Sequence, residues 1–139
     1  MGKGTIHIYV PEENGETTAA YGRALLDAAG GKKVVVIRFI KDKANCNSDF
    51  FKKMEPEMRL FSFEDIRNGI NYARKVLATE ECNLILLIDI LELLKTGKIT
   101  VADLKIILDA QGETDIILTG KNPVEEISCL AEKVYRFVC

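Results

Sequence analysis

The stretch Thr5-Ile6-His7-Ile8-Tyr9-Val10-Pro11-Glu12-Glu13-Asn14-Gly15-Glu16-Thr17-Thr18-Ala19-Ala20 decides how the rest of the chain is read. Thr5–Val10 is rich in β-branched and aromatic residues and reads as a strand. Pro11 ends it, because proline has no N–H for a sheet ladder. From about Glu16 to Ala29 the apolar spacing becomes helical. Ala20, Ala24, Leu25, Ala28 and Ala29 fall on one face, and Gly30-Gly31 stop the helix. A strand, a tight loop with glycine, Thr-Thr and a helix form the skeleton of a phosphate-binding P-loop. The lysine of that motif is missing. Gly15-Glu16-Thr17 stands where the motif reads Gly-Lys-Thr or Gly-Lys-Ser.

Working outward, Val34–Ile40 is a near-continuous apolar run, which implies a strand buried on both faces. Lys41–Pro56 is polar and lacks periodicity, so it reads as a long loop or a short irregular helix. Met58–Phe63 reads as a short strand. Ser62 with Asp65 resembles a capping box, and Ile66, Ile70, Ala73 and Leu77 then keep helical spacing to about Thr79. Leu84–Ile90 is the most hydrophobic run and reads as a central strand ending near Asp89. Leu91–Lys95 gives one or two helical turns, closed at Gly97. Thr100 and Asp103 cap a helix carrying Val101, Leu104, Ile107 and Leu108. Thr114–Thr119 is a strand, Gly120–Pro123 a turn, Val124–Lys133 a helix with acids in its first turn, and Val134–Val138 an edge strand.

Strands alternate with helices throughout, which predicts an α/β three-layer fold with a mostly parallel central sheet. The 139 residues suit one domain, 1–139. Ligands on such sheets bind at the carboxyl ends of the strands. Val10–Ala20, Ile40–Lys41, Asp89–Ile90 and Thr119–Lys121 all fall at such ends and are expected to share one rim.

Composition narrows the function classes. A formal net charge of -2 argues against wholesale binding to nucleic acid or anionic membrane. No apolar run reaches membrane-spanning length and no signal peptide is seen, so the expectation is a cytoplasmic protein. Cys46, Cys82, Cys129 and Cys139 form no C-x-x-C pair. They read as free thiols rather than zinc ligands or disulfides. His7, the lone histidine, reads as a strand-face residue rather than a ligand or catalyst.

Together these stretches resemble the P-loop-type ATP:corrinoid adenosyltransferases, which act on cob(I)alamin and cob(I)yrinic acid a,c-diamide in cobalamin biosynthesis and salvage. That family opens with a strand and Gly-Asn-Gly-Lys-Gly-Lys-Thr-Thr-Ala-Ala; here the segment is Pro11-Glu12-Glu13-Asn14-Gly15-Glu16-Thr17-Thr18-Ala19-Ala20. Its Gln-Phe-Ile-Lys-Gly becomes Arg38-Phe39-Ile40-Lys41-Asp42. Its buried strand ending Asp-Glu, with a short helix and a glycine, matches Leu84–Asp89, Leu91–Leu94 and Gly97. Its Leu-Thr-Gly-Arg and Pro-x-Glu-Leu match Leu118-Thr119-Gly120-Lys121 and Pro123-Val124-Glu125-Glu126-Ile127. The resemblance spans Thr5 to Val138. It implies a RecA-like P-loop fold, often as a homodimer. It also implies transfer of the 5′-deoxyadenosyl group of ATP to the cobalt of a Co(I) corrinoid, with Mg²⁺. By position, Asn14, Gly15, Glu16, Thr17, Thr18, Lys41, Thr119 and Lys121 would line the nucleotide site, with Thr17 and Asp89 at the metal. No catalytic residue is assigned.

The chain departs from the family where phosphate would lie. Two glycines become Pro11 and Glu13, and two lysines become Asn14 and Glu16. Glu12, Glu13 and Glu16 replace a cationic cradle with carboxylates. Like charges ~4 Å apart repel by about 1 kcal/mol in water and more near a low-dielectric surface. A few such pairs offset much of the roughly 8 kcal/mol of micromolar binding. Acids in a first helical turn also stabilise it, by about 0.3–1 kcal/mol each. The metal-site register stays open: either Asp89 is the strand-end acid, or Ile88 occupies that place and Asp89 the next. The chain has no Trp where the family has one, and offers Phe50, Phe51, Phe61 and Phe63 instead, for a flat ligand, core packing or a dimer contact. Two readings follow. One is an adenosyltransferase with impaired ATP binding. The other is a non-catalytic relative that needs no cofactor, serves as a binding or scaffold protein, and fills its anion site with its own carboxylates.

Overall fold

Leu84-Ile85-Leu86-Leu87-Ile88 is buried at every position, on both faces of the strand it forms. Such a strand needs a layer above and a layer below, and the rest of the chain supplies them. The computed structural model describes residues 4–10, 18–39, 53, 57–121 and 125–136. In chain order the elements are β1 (Ile6–Val10), α1 (Thr18–Ala29), β2 (Val34–Arg38), β3 (Met58–Ser62), α2 (Ile66–Thr79), β4 (Leu84–Ile88), α3 (Ile90–Lys95), α4 (Val101–Asp109), β5 (Asp115–Thr119), α5 (Glu125–Ser128) and β6 (Lys133–Arg136). The strands form one sheet in the order β3-β2-β4-β5-β1-β6. Every neighbouring pair is parallel. This matches the α/β, RecA-like expectation, with a sheet that is wholly rather than mostly parallel.

Alternate residues of each strand divide between two apolar layers. Val34, Val36, Met58, Leu84, Leu86, Ile88 and Ile117 pack with Ala20, Ala24 and Ala28 of α1. The alanines recur every fourth residue, so one turn of helix lies over the next with no bulk between backbone and sheet. The opposite layer joins Ile8, Val35, Ile37, Ile85, Leu87 and Leu118 to Ile70, Ala73 and Leu77 of α2 and to Leu104 and Ile107 of α4. Fully burying one such aliphatic side chain contributes about 1.5–3 kcal/mol.

Helix ends follow side-chain chemistry. Thr100 accepts from the Asp103 N–H at 3.1 Å and Asp103 accepts from the Thr100 N–H at 3.0 Å, the capping box expected from sequence. For α2 the expectation needs correction. Ser62 belongs to β3, and the cap is Asp65, whose carboxylate accepts from the Asn68 N–H at 3.2 Å. The last helix is also shorter than Val124–Lys133. It ends at Ser128, and Lys133 already pairs in β6. The cause is capture by β1: the Glu132 N–H donates to the Ile6 carbonyl at 2.8 Å, and the Glu132 carboxylate accepts from the Ile6 N–H. On α1, Leu25 is exposed and so is Ala29, so the buried stripe is narrower than the sequence suggested. Phe61 and Phe63 pack on Tyr72, with ring centroids 4.9 and 5.6 Å away, which is core packing. Phe50, Phe51 and most of Lys41–Pro56 lie outside the described residues.

Leu87→Ala is expected to lower unfolding free energy by about 2–5 kcal/mol, because a cavity opens in the fully buried strand. Thr100→Ala should cost about 1 kcal/mol, the value of one N-cap. Urea denaturation of both variants checks the ranking.

Candidate functional site

Because all strands run parallel, the carboxyl ends of β1, β2, β4 and β5 share one edge of the sheet. Among the described connections, one place on that edge differs from the rest. The chain leaves β1 for α1 on one face, whereas it leaves β5 for α5, through buried Ile127, on the other. Adjacent strands whose connections depart to opposite faces leave a crevice between them. The crevice therefore lies between the ends of β1 and β5. Residues 119–121 leave the sheet there.

Of the residues assigned to the site from sequence, Asn14, Gly15, Glu16, Thr17 and Lys41 lie outside the described residues. Thr18 opens α1. Lys121 is exposed just past β5. Asp89 and Thr119 are brought together. The β4–β5 ladder ends at the pair Leu87 and Leu118. Beyond it the Asp89 N–H donates to Thr119 Oγ1 at 2.7 Å. Thr119 is fully buried.

Asp89 itself is bent. Its backbone has φ 64 and ψ 16, in the left-handed region, and its side chain does not cap α3. A left-handed backbone costs a non-glycine residue about 1–2 kcal/mol, less for Asp than for bulkier types. Gly120, at φ +157, closes the same corner. A Cβ there would stand 2.4 Å from Leu91 Cβ and 3.1 Å from the Glu92 nitrogen. The missing side chain lets β5 and the start of α3 touch. Sequence reading found Asp89, Thr119 and the turn at Gly120, but not the bond between the first two or the packing of the third. The one available signal was residue type, since Asp tolerates left-handed geometry and Gly tolerates close approach.

The other face of the β1–β6 pair carries aromatic residues. Tyr9 and Tyr135 lie with ring centroids 5.1 Å apart, and His7 meets Tyr135 edge-on at 5.6 Å. His7 is thus a strand-face residue. Burial, and then the charge of Arg23, hold its pKa below the ordinary 6.5. Cys82 is buried and its thiol is pushed up to about 12 by desolvation, while Cys129 is exposed; both are free. Cys46 and Cys139 lie outside the described residues. Among the described residues no group of three His, Cys, Asp or Glu side chains could hold a metal ion, and no helix is long and apolar enough to cross a membrane.

The family model for ATP:corrinoid adenosyltransferase BtuR/CobO/CobP matches residues 2–139. The chain belongs to the ATP:corrinoid adenosyltransferase family. No curated protein matches it. The adenosyltransferase family uses ATP and a corrinoid substrate. The donor chemistry fits the two charged parts of such a site unequally. Mg²⁺ keeps several waters and takes one or two carboxylates plus phosphate oxygens, so one acid at Asp89 suits it. The triphosphate is poorly matched by Glu12, Glu13 and Glu16.

Gly120→Ala should destabilise this adenosyltransferase relative by at least about 2 kcal/mol, since the contact is with Leu91 near its backbone and the φ is unfavourable. Thermal unfolding reads it. His7 yields a pH prediction. Its folded pKa lies below its unfolded value, so the stability tied to its neutral form is complete above pH about 6.5 and declines as the pH falls through that value. His7→Gln should therefore gain on the parent protein between pH 7.5 and 5, measured as the difference in urea midpoint.

Proposed function

We propose that this adenosyltransferase relative keeps the family's rim for ATP and a corrinoid but binds MgATP far more weakly than a lysine-bearing P-loop does. The observation that carries this reading is the corner at the carboxyl edge, where Asp89 is tied to buried Thr119 at 2.7 Å beside the β1–β5 crevice. Thr17 and Asp89 are the residues that would hold Mg²⁺. Asn14, Gly15, Glu16 and Thr18 would face the phosphates, Lys41 and Lys121 would offer cations, and Thr119 would complete the rim. When bound, Mg²⁺ neutralises phosphate charge. Lys121 keeps the charge of the arginine at that place in the family but not its two-pronged donor geometry. The reading extends to a soluble cytoplasmic protein acting in cobalamin metabolism, as a homodimer.

The sequence of the loop favours a second reading. Glu12, Glu13 and Glu16 suit a helix start that satisfies its own N–H groups. On that reading the protein is a non-catalytic relative that binds a partner or another small ligand.

Calorimetric titration with MgATP separates the two. The parent protein should bind with a dissociation constant above about 100 μM, against the roughly 8 kcal/mol that micromolar binding represents. The double variant Glu13→Gly, Glu16→Lys should tighten it by tenfold or more. Micromolar binding by the parent would overturn the weak-site reading. If neither form binds and neither adenosylates a Co(I) corrinoid, the non-catalytic reading takes its place.

A further inference from the structure

We propose that the outer face of α1 is a self-association surface, on which a second copy of this chain lays its own α1 in the antiparallel sense. This rests on the reading of the protein as a homodimer and names the surface that such a dimer uses.

Three observations carry it. First, Gly22, Leu25, Leu26 and Ala29 stand at i, i+3, i+4 and i+7 of α1, and all four are exposed. Leu26 is 74% exposed, the most of any large hydrophobic side chain among the described residues, and Leu25 is 37% exposed. The sheet is already met by Ala20, Ala24 and Ala28 on the other side of the helix, so the fold has no use for a second apolar stripe. Second, the stripe carries no charge. The charged residues of α1 are Arg23 and Asp27. They bond to each other at 3.2 Å, and the Arg23 guanidinium also lies 3.7 Å from Asp115 of β5. Scattered exposed leucines are ordinary, but four uncharged positions in helical register form a face, and such a face suits an apolar partner. Third, the stripe is symmetric about its own midpoint. A two-fold axis between Leu25 and Leu26 sets Leu25 against Leu26 of the second copy, and Gly22 against Ala29. Small residues then flank the leucines at both ends, and a side chain at Gly22 would meet nothing within 4 Å. The helix axes can therefore approach to about 8 Å. Contacts across a two-fold axis must be self-complementary in this way, which an unrelated partner does not require. Charge agrees with the antiparallel sense. In sequence Glu12, Glu13 and Glu16 come just before α1, and Lys32 and Lys33, both exposed, come just after it. Antiparallel pairing brings the basic end of each copy to the acidic end of the other. The helix is about 18 Å long, so its stripe offers far less than the roughly 800 Å² per partner of a standard interface. The association is accordingly weak and concentration-dependent.

The test is sedimentation velocity on the full chain from about 10 μM to about 1 mM, with the variants Leu26→Glu and Leu25→Lys. The parent's average mass should rise with concentration toward that of two copies. Each variant alone should weaken association tenfold or more, because a two-fold axis places its unpaired charge in the apolar contact. Both positions are exposed, so the thermal transition of the dilute protein should stay in place. An equimolar mixture of the two variants should recover association, since residue 25 of one copy then meets residue 26 of the other as Lys against Glu. A parent that dimerises while Leu26→Glu dimerises equally well overturns the α1 surface and leaves the homodimer standing. A parent that stays monomeric throughout overturns both, and leaves the stripe to a different protein. A mixture that associates no better than either variant alone overturns the antiparallel two-fold pairing.

Discussion

A sheet of parallel strands has to be dry on both faces, and most of this molecule follows from that constraint. Parallel neighbours cannot be joined by a tight hairpin, so the chain must cross from one end of the sheet to the other between strands. Each crossing described here is made by helix, and each helix brings an apolar face to the sheet. α1 covers one side with small alanines, while α2 and α4 cover the other with branched aliphatics. β4 lies between these layers and is apolar at all five positions. The same constraint sorts the polar chemistry. Once every strand points one way, residues that begin connections gather at one edge, and there β1 and β5 send their connections to opposite faces.

Scaffold and loop have therefore been under different demands. The apolar alternation, the capping box and the ordered polar ties at the amino end all serve folding. Asp115 accepts from both the N–H and the hydroxyl of Thr5, and lies 3.7 Å from the Arg23 guanidinium. These features are intact along a chain that matches its family from residue 2 to residue 139. The densest differences in charge from the family pattern fall in Pro11–Glu16, the segment that corresponds to its phosphate loop. A carboxylate there is favourable to the helix and unfavourable to an anionic ligand, so the substitution that weakens one role supports the other.

Much of this was legible from sequence because it depends on local signals. The run Leu84–Ile90 read as a central strand, which the structure ends at Ile88 with Ile90 already in α3, and Thr100 with Asp103 specified its own hydrogen bonds. The failures have a common cause in contacts between distant parts of the chain. The last helix looked longer because its start is marked by Glu125 and Glu126, while its end is imposed by the backbone of Ile6 capturing Glu132. Asp65 rather than Ser62 caps α2 because β3 holds Ser62 opposite Arg38. At the site, residue identities were readable but their coupling was not. Asp89 and Thr119 are thirty positions apart, and a hydrogen bond between them leaves no periodic trace.

Among the described residues the sheet ends at β3 on one side and β6 on the other. Both edge strands are short, of five and four residues. Arg59 lies in the first and Lys133 and Arg136 in the second, and the Arg59 guanidinium lies 5.8 Å from the centre of the Phe61 ring. Short, charged edges are poor templates for an incoming strand, because added pairing would be brief and would crowd like charges. A sheet built this way resists lengthening by strand addition, whether from misfolded copies or from extended peptides. Its aggregation hazard is correspondingly lower than its strongly apolar centre would suggest, and contacts with other chains are steered toward helix faces and loops.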